Sequence, residues 1–328
     1  MLARANFDQA AAFRYAVSDS RLLGALAALP QGVAHRALVA AAWLETWVRF
    51  PLRTLRMMDS VDGVLSVLDP GGSRFGLTGR ARNAFRKNLL YYQVADLAAL
   101  LFSLNKPGFG ERTLRVENED VLLSEMERGP GAIVAGFRIG PYPAVPMVLG
   151  TLGFNATMIV GNEGLAQAGR ALGEKYSPGA TGRIRYVGAD DPRVLTRCLD
   201  DLDAGGLACT LVELSPTKFA KTVEVQFLGW TIAVPYGIAY LAAATRRSIV
   251  PLTLSRRSGT RFSLRFGQPL PAPARSRQAI GETMQQLYGA LEGEVLRLPD
   301  QWIGWTLLTS HLGIDLPATD AQVVTPLF

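Results

Sequence analysis

The chain reads as an α/β fold: a mixed central sheet flanked by helices, preceded by an N-terminal helical region. Three observations lead there. From residue 130 onward, short β-branched and apolar runs alternate with helical ones, as in a sheet covered on both faces. Before residue 130 the apolar spacing is helical instead. With 328 residues, 48% hydrophobic and 19% charged, the chain has the apolar content to bury a large core.

In the first part, helical patterns cover Phe13–Leu29, Val33–Met58 and Arg80–Ser103. The turn-formers Asp69-Pro70-Gly71-Gly72-Ser73 and Asn105-Lys106-Pro107-Gly108 punctuate them. In the second part, strands are expected at Ala132–Gly136, Ala156–Val160, Ile184–Val187, Ala208–Glu213, Val223–Phe227, Ile249–Ser255 and Phe262–Phe266. Helices are expected between them at Ala144–Leu152, Leu165–Lys175, Asp191–Asp203 and Tyr236–Arg246, with a last one over Arg277–Leu298. The whole chain, 1–328, is read as one domain: a helical region over 1–129 and an α/β core with its closing helix over 130–328. No internal repeat or low-complexity tract interrupts it.

Composition narrows the function classes. Two cysteines, Cys198 and Cys209, make no disulfide framework and match no metal-ligand spacing, which points to a reducing cytoplasm. Met1 to Arg21 is broken every few residues by Arg or Asp and is not read as a secretory signal. No run of eighteen apolar residues is present, so the chain is not expected to span a membrane. The net charge of +6 suits acidic partners. Its basic residues are scattered, without zinc-finger spacing or an RNA-binding aromatic motif, which argues against nucleic acid.

One segment keeps a membrane surface in view. Over Trp43–Met58, Trp47, Phe50, Leu52, Leu55 and Met57 mix with Arg49, Arg53 and Arg56, the composition of a peripheral helix on the inner face of the cell membrane. Pro51 cuts the pattern, and arginine stems also cover apolar protein surface in ordinary helices. Both readings stand.

Four blocks, in order, carry a family resemblance over roughly residues 75–308. The first is the basic helix Gly79-Arg80-Ala81-Arg82-Asn83-Ala84-Phe85-Arg86-Lys87-Asn88-Leu89. The second is Ala132-Ile133-Val134-Ala135-Gly136-Phe137-Arg138-Ile139-Gly140-Pro141-Tyr142-Pro143, a buried strand entering a turn. The third joins Phe227-Leu228-Gly229-Trp230 to Pro235-Tyr236-Gly237 and Ile249-Val250-Pro251. The fourth is Pro299-Asp300-Gln301-Trp302-Ile303-Gly304-Trp305. Together they resemble the late acyltransferases of lipid A synthesis, within the lysophospholipid acyltransferase superfamily.

The resemblance implies an acyltransferase-like fold and transfer of an acyl group from a thioester, on an acyl carrier protein or coenzyme A, to a hydroxyl or amine. No further cofactor is implied. It places Tyr142, Phe227, Gly229 and Tyr236 at the substrate and a docked carrier protein on Arg80, Arg82, Arg86 and Lys87. Family members carry a His and, five positions on, an acid. Here those positions hold Arg138 and Pro143. An imidazole takes a proton near neutral pH, whereas a guanidinium offers only donors.

The two histidines, His35 and His311, are expected at surfaces or helix ends. Ligands gather outside the carboxyl ends of strands in open α/β sheets, where Arg138 and Glu213 should fall. Those two are the catalytic candidates, and a purely structural ion pair between them is the competing reading. Arg138 suits a carboxylate, a phosphate or the oxyanion of a tetrahedral intermediate. Asp190-Asp191-Pro192 is read as a helix cap, and Cys209 as an inert core thiol. Two functions follow. One is an acyltransferase whose acceptor is a nitrogen of low pKa, in a specialised biosynthetic pathway; the other is a partner protein that holds acyl groups or their carrier without turnover.

Overall fold

The computed structural model describes residues 29–44, 47, 51–213, 221–305 and 308. The expected helix over residues 13–28 and His311 lie outside the described residues. The helical region begins with α1 (Gln31–Leu44) and α2 (Pro51–Leu68), two helices where the periodicity suggests one. Pro51 is the first residue of α2, a position where its missing N–H costs nothing; the proline opens a helix instead of interrupting one. Then come α3 (Gly79–Lys87), a π-helical turn at Asn88–Tyr92 and α4 (Gln93–Ser103), one helical stretch as expected, followed by the short α5 (Phe109–Arg112) and α6 (Glu119–Arg128).

A seven-stranded mixed sheet with helices on both faces forms the centre. Its order is β1-β9-β8-β2-β5-β3-β4, from β1 (Leu114–Glu117), β2 (Ala132–Gly136), β3 (Ala156–Val160), β4 (Ile184–Gly188), β5 (Leu207–Leu211), β8 (Ile249–Ser258) and β9 (Arg261–Phe266). β9 runs antiparallel to β8, and the other pairings are parallel. The sheet therefore reaches back to residue 114, ahead of the division at 130. Leu-Arg-Val-Glu is too short for its alternation to outweigh the helical patterns around it.

Every residue of β2 is buried, as expected of a central strand covered on both faces. The pleat sends Ile133 and Ala135 to one face and Ala132 and Val134 to the other. On the first face they meet α9 (Val194–Asp203), α10 (Gly237–Thr245) and α11 (Arg277–Arg297) through Leu202, Ala239 and Leu287. On the second they meet α7 (Val145–Thr151) and α8 (Glu163–Tyr176) through Val148 and Leu172.

Connections decide where a ligand can sit. After β2 the chain leaves through α7 to β3, beyond β5. After β5 it passes through the antiparallel hairpin β6 (Thr222–Phe227) and β7 (Trp230–Pro235) and through α10 to β8, on the other side of β2. Neighbouring strands whose connections depart in opposite directions leave a crevice at their carboxyl ends. Arg138 and Glu213 stand just past those ends.

Candidate functional site

The crevice is built on three backbone segments that hold one another. Val212 N–H donates to Gly136 O at 3.1 Å, and Phe137 N–H to Leu252 O at 3.0 Å, so the loop after β2 is tied to both neighbouring strands. The segment after α11 closes it: Gly140 N–H donates to Gln301 O at 2.9 Å and Ile303 N–H to Arg138 O at 3.1 Å. Gly140 has φ +57°, and a Cβ there would come within 2.6 Å of Leu254 O. The Gln301 side chain extends the clamp, accepting from Arg256 N–H at 2.8 Å and donating to Arg256 O at 3.0 Å. The closing Pro-Asp-Gln-Trp segment is thus the latch of the Arg138 loop.

Arg138 and Glu213 come together inside it, 1% and 5% exposed. Glu213 receives the Arg138 main-chain N–H on both oxygens, at 3.0 and 3.2 Å, and Trp302 Nε1–H at 2.9 Å. Burial raises the Glu213 carboxyl above its ordinary range, against the attraction of the Arg138 charge and these hydrogen bonds. Burial also pushes the neighbouring Tyr142 phenol up to about 12, with Arg138 opposing and Glu213 adding. Tyr142 therefore stays a neutral hydroxyl at working pH.

Two apolar cavities flank the sheet near the carboxyl ends of its strands. A narrow slot of about 80 Å³ is lined by Arg138 and Tyr142 at one end and by Met158, Leu165, Leu172 and Tyr186 further in. A wider chamber of about 500 Å³ lies among Cys198, Leu195, Tyr236, Tyr240 and Lys221. The cavities share Ile159, Ala189, Thr210 and Leu211, a common wall near the carboxyl ends of β3 and β5. Arg138 lines the slot and Glu213 lines neither cavity. The Glu213 carboxylate holds the loop through the Arg138 N–H, and the Arg138 side chain forms part of the slot wall.

The remaining sequence candidates separate. Tyr236 is in the chamber wall. Phe227 is buried one layer behind, edge-on to Trp302 at 5.6 Å and to Tyr288 at 5.4 Å. Gly229 forms the β6–β7 turn with Leu228, at φ +84° and +52°, the positive angles of a tight hairpin turn. Leu228 N–H donates to Glu292 at 2.8 Å, and Arg74 donates to Leu228 O at 2.9 Å. Phe227 and Gly229 line neither cavity; their Phe-Leu-Gly block is accounted for as a pinned turn.

Of the basic helix, Arg80 and Lys87 are exposed, while Arg82, at 2.8 Å, and Arg86 are both paired with Asp62. Asp191 accepts from Arg193 N–H at 2.8 Å in a turn ahead of α9, but the N-cap position of that helix is Arg193, with no side-chain cap bond, so the cap expected at Asp190-Asp191-Pro192 does not form. Cys209 is buried in β5, and burial raises its thiol far above the ordinary range, leaving it inert as expected.

His35 is not at a surface. It is 7% exposed and lies 3.0 Å from Asp96, which Arg256 also binds at 2.9 Å. An isolated His in a weakly patterned helix gave no sign of a buried acidic partner sixty-one residues away. Trp47, counted among the side chains that would enter a bilayer, is half-buried and donates to the Tyr91 hydroxyl. Most of the other side chains in that segment lie outside the described residues. Among the described residues, no helix is long and apolar enough to cross a membrane.

Sequence reasoning missed the slot wall. Its signal was present: Leu165, Ala168, Gly169 and Leu172 on α8 recur at helical spacing and all line the slot. Nothing local distinguishes such a stripe from one that packs a closed core. No family model matches the chain, and a search of curated proteins finds no match to it.

Proposed function

We propose that the protein is an atypical acyltransferase that moves an acyl group from a carrier-protein or coenzyme A thioester to an amine-type acceptor. The observation that carries this reading is an apolar slot lined at one end by Arg138, which shares a wall at the carboxyl ends of β3 and β5 with a larger apolar chamber. An apolar lining suits an acyl chain. The chamber is a place for the second reactant beside the shared wall, and binding the two together supplies much of the rate.

The chemistry follows from which groups face the cavities. A thioester carbonyl at the mouth of the slot points its oxygen at Arg138. The lone pair of a neutral amine attacks the carbonyl carbon, and the guanidinium stabilises the oxyanion that forms. Collapse breaks the C–S bond; the amide retains the acyl group, and the proton shed by nitrogen ends on the departing thiolate. No base is required for an amine that is already neutral, whereas an alcohol needs one. Glu213 is committed to the Arg138 N–H and to Trp302, which supports its role as a positioning residue. The same commitment favours the second reading, a protein that holds acyl groups and transfers none.

Incubating the full chain with acyl-loaded carrier protein and a panel of amines, hydroxylamines, hydrazines and alcohols, with product followed by mass, separates the two. Transfer to nitrogen acceptors, reduced about a hundredfold or more in Arg138→Gln by loss of an oxyanion donor, is the expected result. A preference for alcohols, or undiminished transfer in the variant, overturns the transferase reading. Acyl binding without any product supports the holder.

A further inference from the structure

We infer that the slot takes an acyl chain bearing an oxygen substituent remote from its carbonyl, and that Tyr186 is the residue that recognises it. This deepens the acyl-binding reading above by naming the class of chain. Tyr186 stands on β4, lines the slot and is 6% exposed. Its hydroxyl is shielded from solvent and, among the described residues, has no hydrogen-bond partner. A hydroxyl buried in this way is costly to the fold unless something else engages it.

The phenol is also held in place. Gly169 of α8 lies so close under the ring that a Cβ there would come within 2.5 Å of it, and the Tyr186 carbonyl receives Arg170 at 2.9 Å. Burial raises the phenol well above its ordinary range, so the group remains an O–H that both donates and accepts.

Position determines which part of a ligand meets it. Arg138 follows β2, whereas Tyr186 is on β4, three places away in the order β2-β5-β3-β4, or about 14 Å across the sheet. Between them the slot presents Met158, Leu165, Ala168 and Leu172, none of which offers a hydrogen bond, and Thr210 of β5, whose hydroxyl is turned to Leu211 O at 3.5 Å. A carbonyl held at Arg138 therefore sends the body of its chain toward Tyr186. An unsubstituted chain would press methylenes against the hydroxyl, and a chain with a distal hydroxyl or keto oxygen would satisfy it.

The test is calorimetric binding of medium-chain fatty acids with a terminal hydroxyl, against unsubstituted acids of equal length, to the full chain and to Tyr186→Phe. The expected result is about a tenfold preference for the hydroxylated acid, collapsing to parity in the variant. Equal affinities in the wild type, a preference that survives in Tyr186→Phe, or binding of neither acid overturns the inference. Tyr186→Phe keeps the ring packing, and its unliganded melting temperature should rise by roughly 2–4 °C; a fall would mean that the hydroxyl is already satisfied, which also overturns it. Binding and turnover fail separately. Preferential binding without transfer leaves this inference standing and removes the transferase, while indifferent transfer of both chains does the reverse.

Discussion

At the scale of single residues, the site is governed by a buried carboxylate whose bonds hold a cation's backbone in place. Glu213 titrates above its ordinary value of 4.5 because desolvation outweighs the Arg138 charge and the hydrogen bonds it receives. A carboxyl with a raised folded-state value favours the folded protein when protonated, and that contribution is lost as pH rises from 4.5 through the raised value. The stability difference between Glu213→Gln and the wild type should therefore move in the variant's favour over that window. Urea titrations of both proteins across a pH series check it, and a difference that is flat with pH contradicts it. Trp302→Phe keeps most of the aromatic packing and deletes one donor to Glu213. It should destabilise by about 2 kcal/mol, more than expected for the change of ring size alone.

At the scale of elements, the decisive contact joins segments distant in sequence: the turn after β2 and the segment after α11, which pair through Gly140, Gln301 and Ile303. Gly140→Ala forces a left-handed backbone on a residue with a Cβ and drives that carbon against Leu254 O. A loss of about 2 kcal/mol or more is expected by chemical denaturation. Gln301→Ala strands the Arg256 N–H and carbonyl together, for about 2 kcal/mol. Because Arg256 also binds Asp96, which holds His35, that substitution should speed amide exchange in α4 as well as in the Arg138 loop. Exchange confined to the loop would show that the chain of bonds is not mechanically coupled.

At the scale of the whole molecule, the net charge of +6 bears on the proposed use of a carrier-borne donor. Of the basic residues on α3 only Arg80 and Lys87 stand exposed, whereas Asp62 holds Arg82 and Arg86. The double substitution Arg80→Glu, Lys87→Glu should raise KM for a carrier-borne donor severalfold, leave kcat unchanged and lose its effect at high salt. Reversing Arg82 or Arg86 should instead lower thermal stability, since each change sets an acid against Asp62. Steady-state kinetics at two ionic strengths distinguish these outcomes.

The sequence by itself determined the fold class and most of the sheet. β2 and β3 fall where their apolar runs do, and most other strands differ by a few residues at their ends, because runs such as Ala132–Gly136 need only local hydrophobicity to declare themselves. It also placed Arg138 and Glu213 past the carboxyl ends of strands, since each follows an apolar run; that the two strands are neighbours came from the sheet order. Tertiary structure alone decided that Glu213 binds the Arg138 backbone, that Phe-Leu-Gly is a pinned turn and that His35 is buried against Asp96. It alone opened a slot between β2, β4 and α8. The physical reason is the same in each case: a hydrogen bond or a cavity belongs to groups far apart in the chain, and local periodicity, which records which face of an element is apolar, does not record what that face meets.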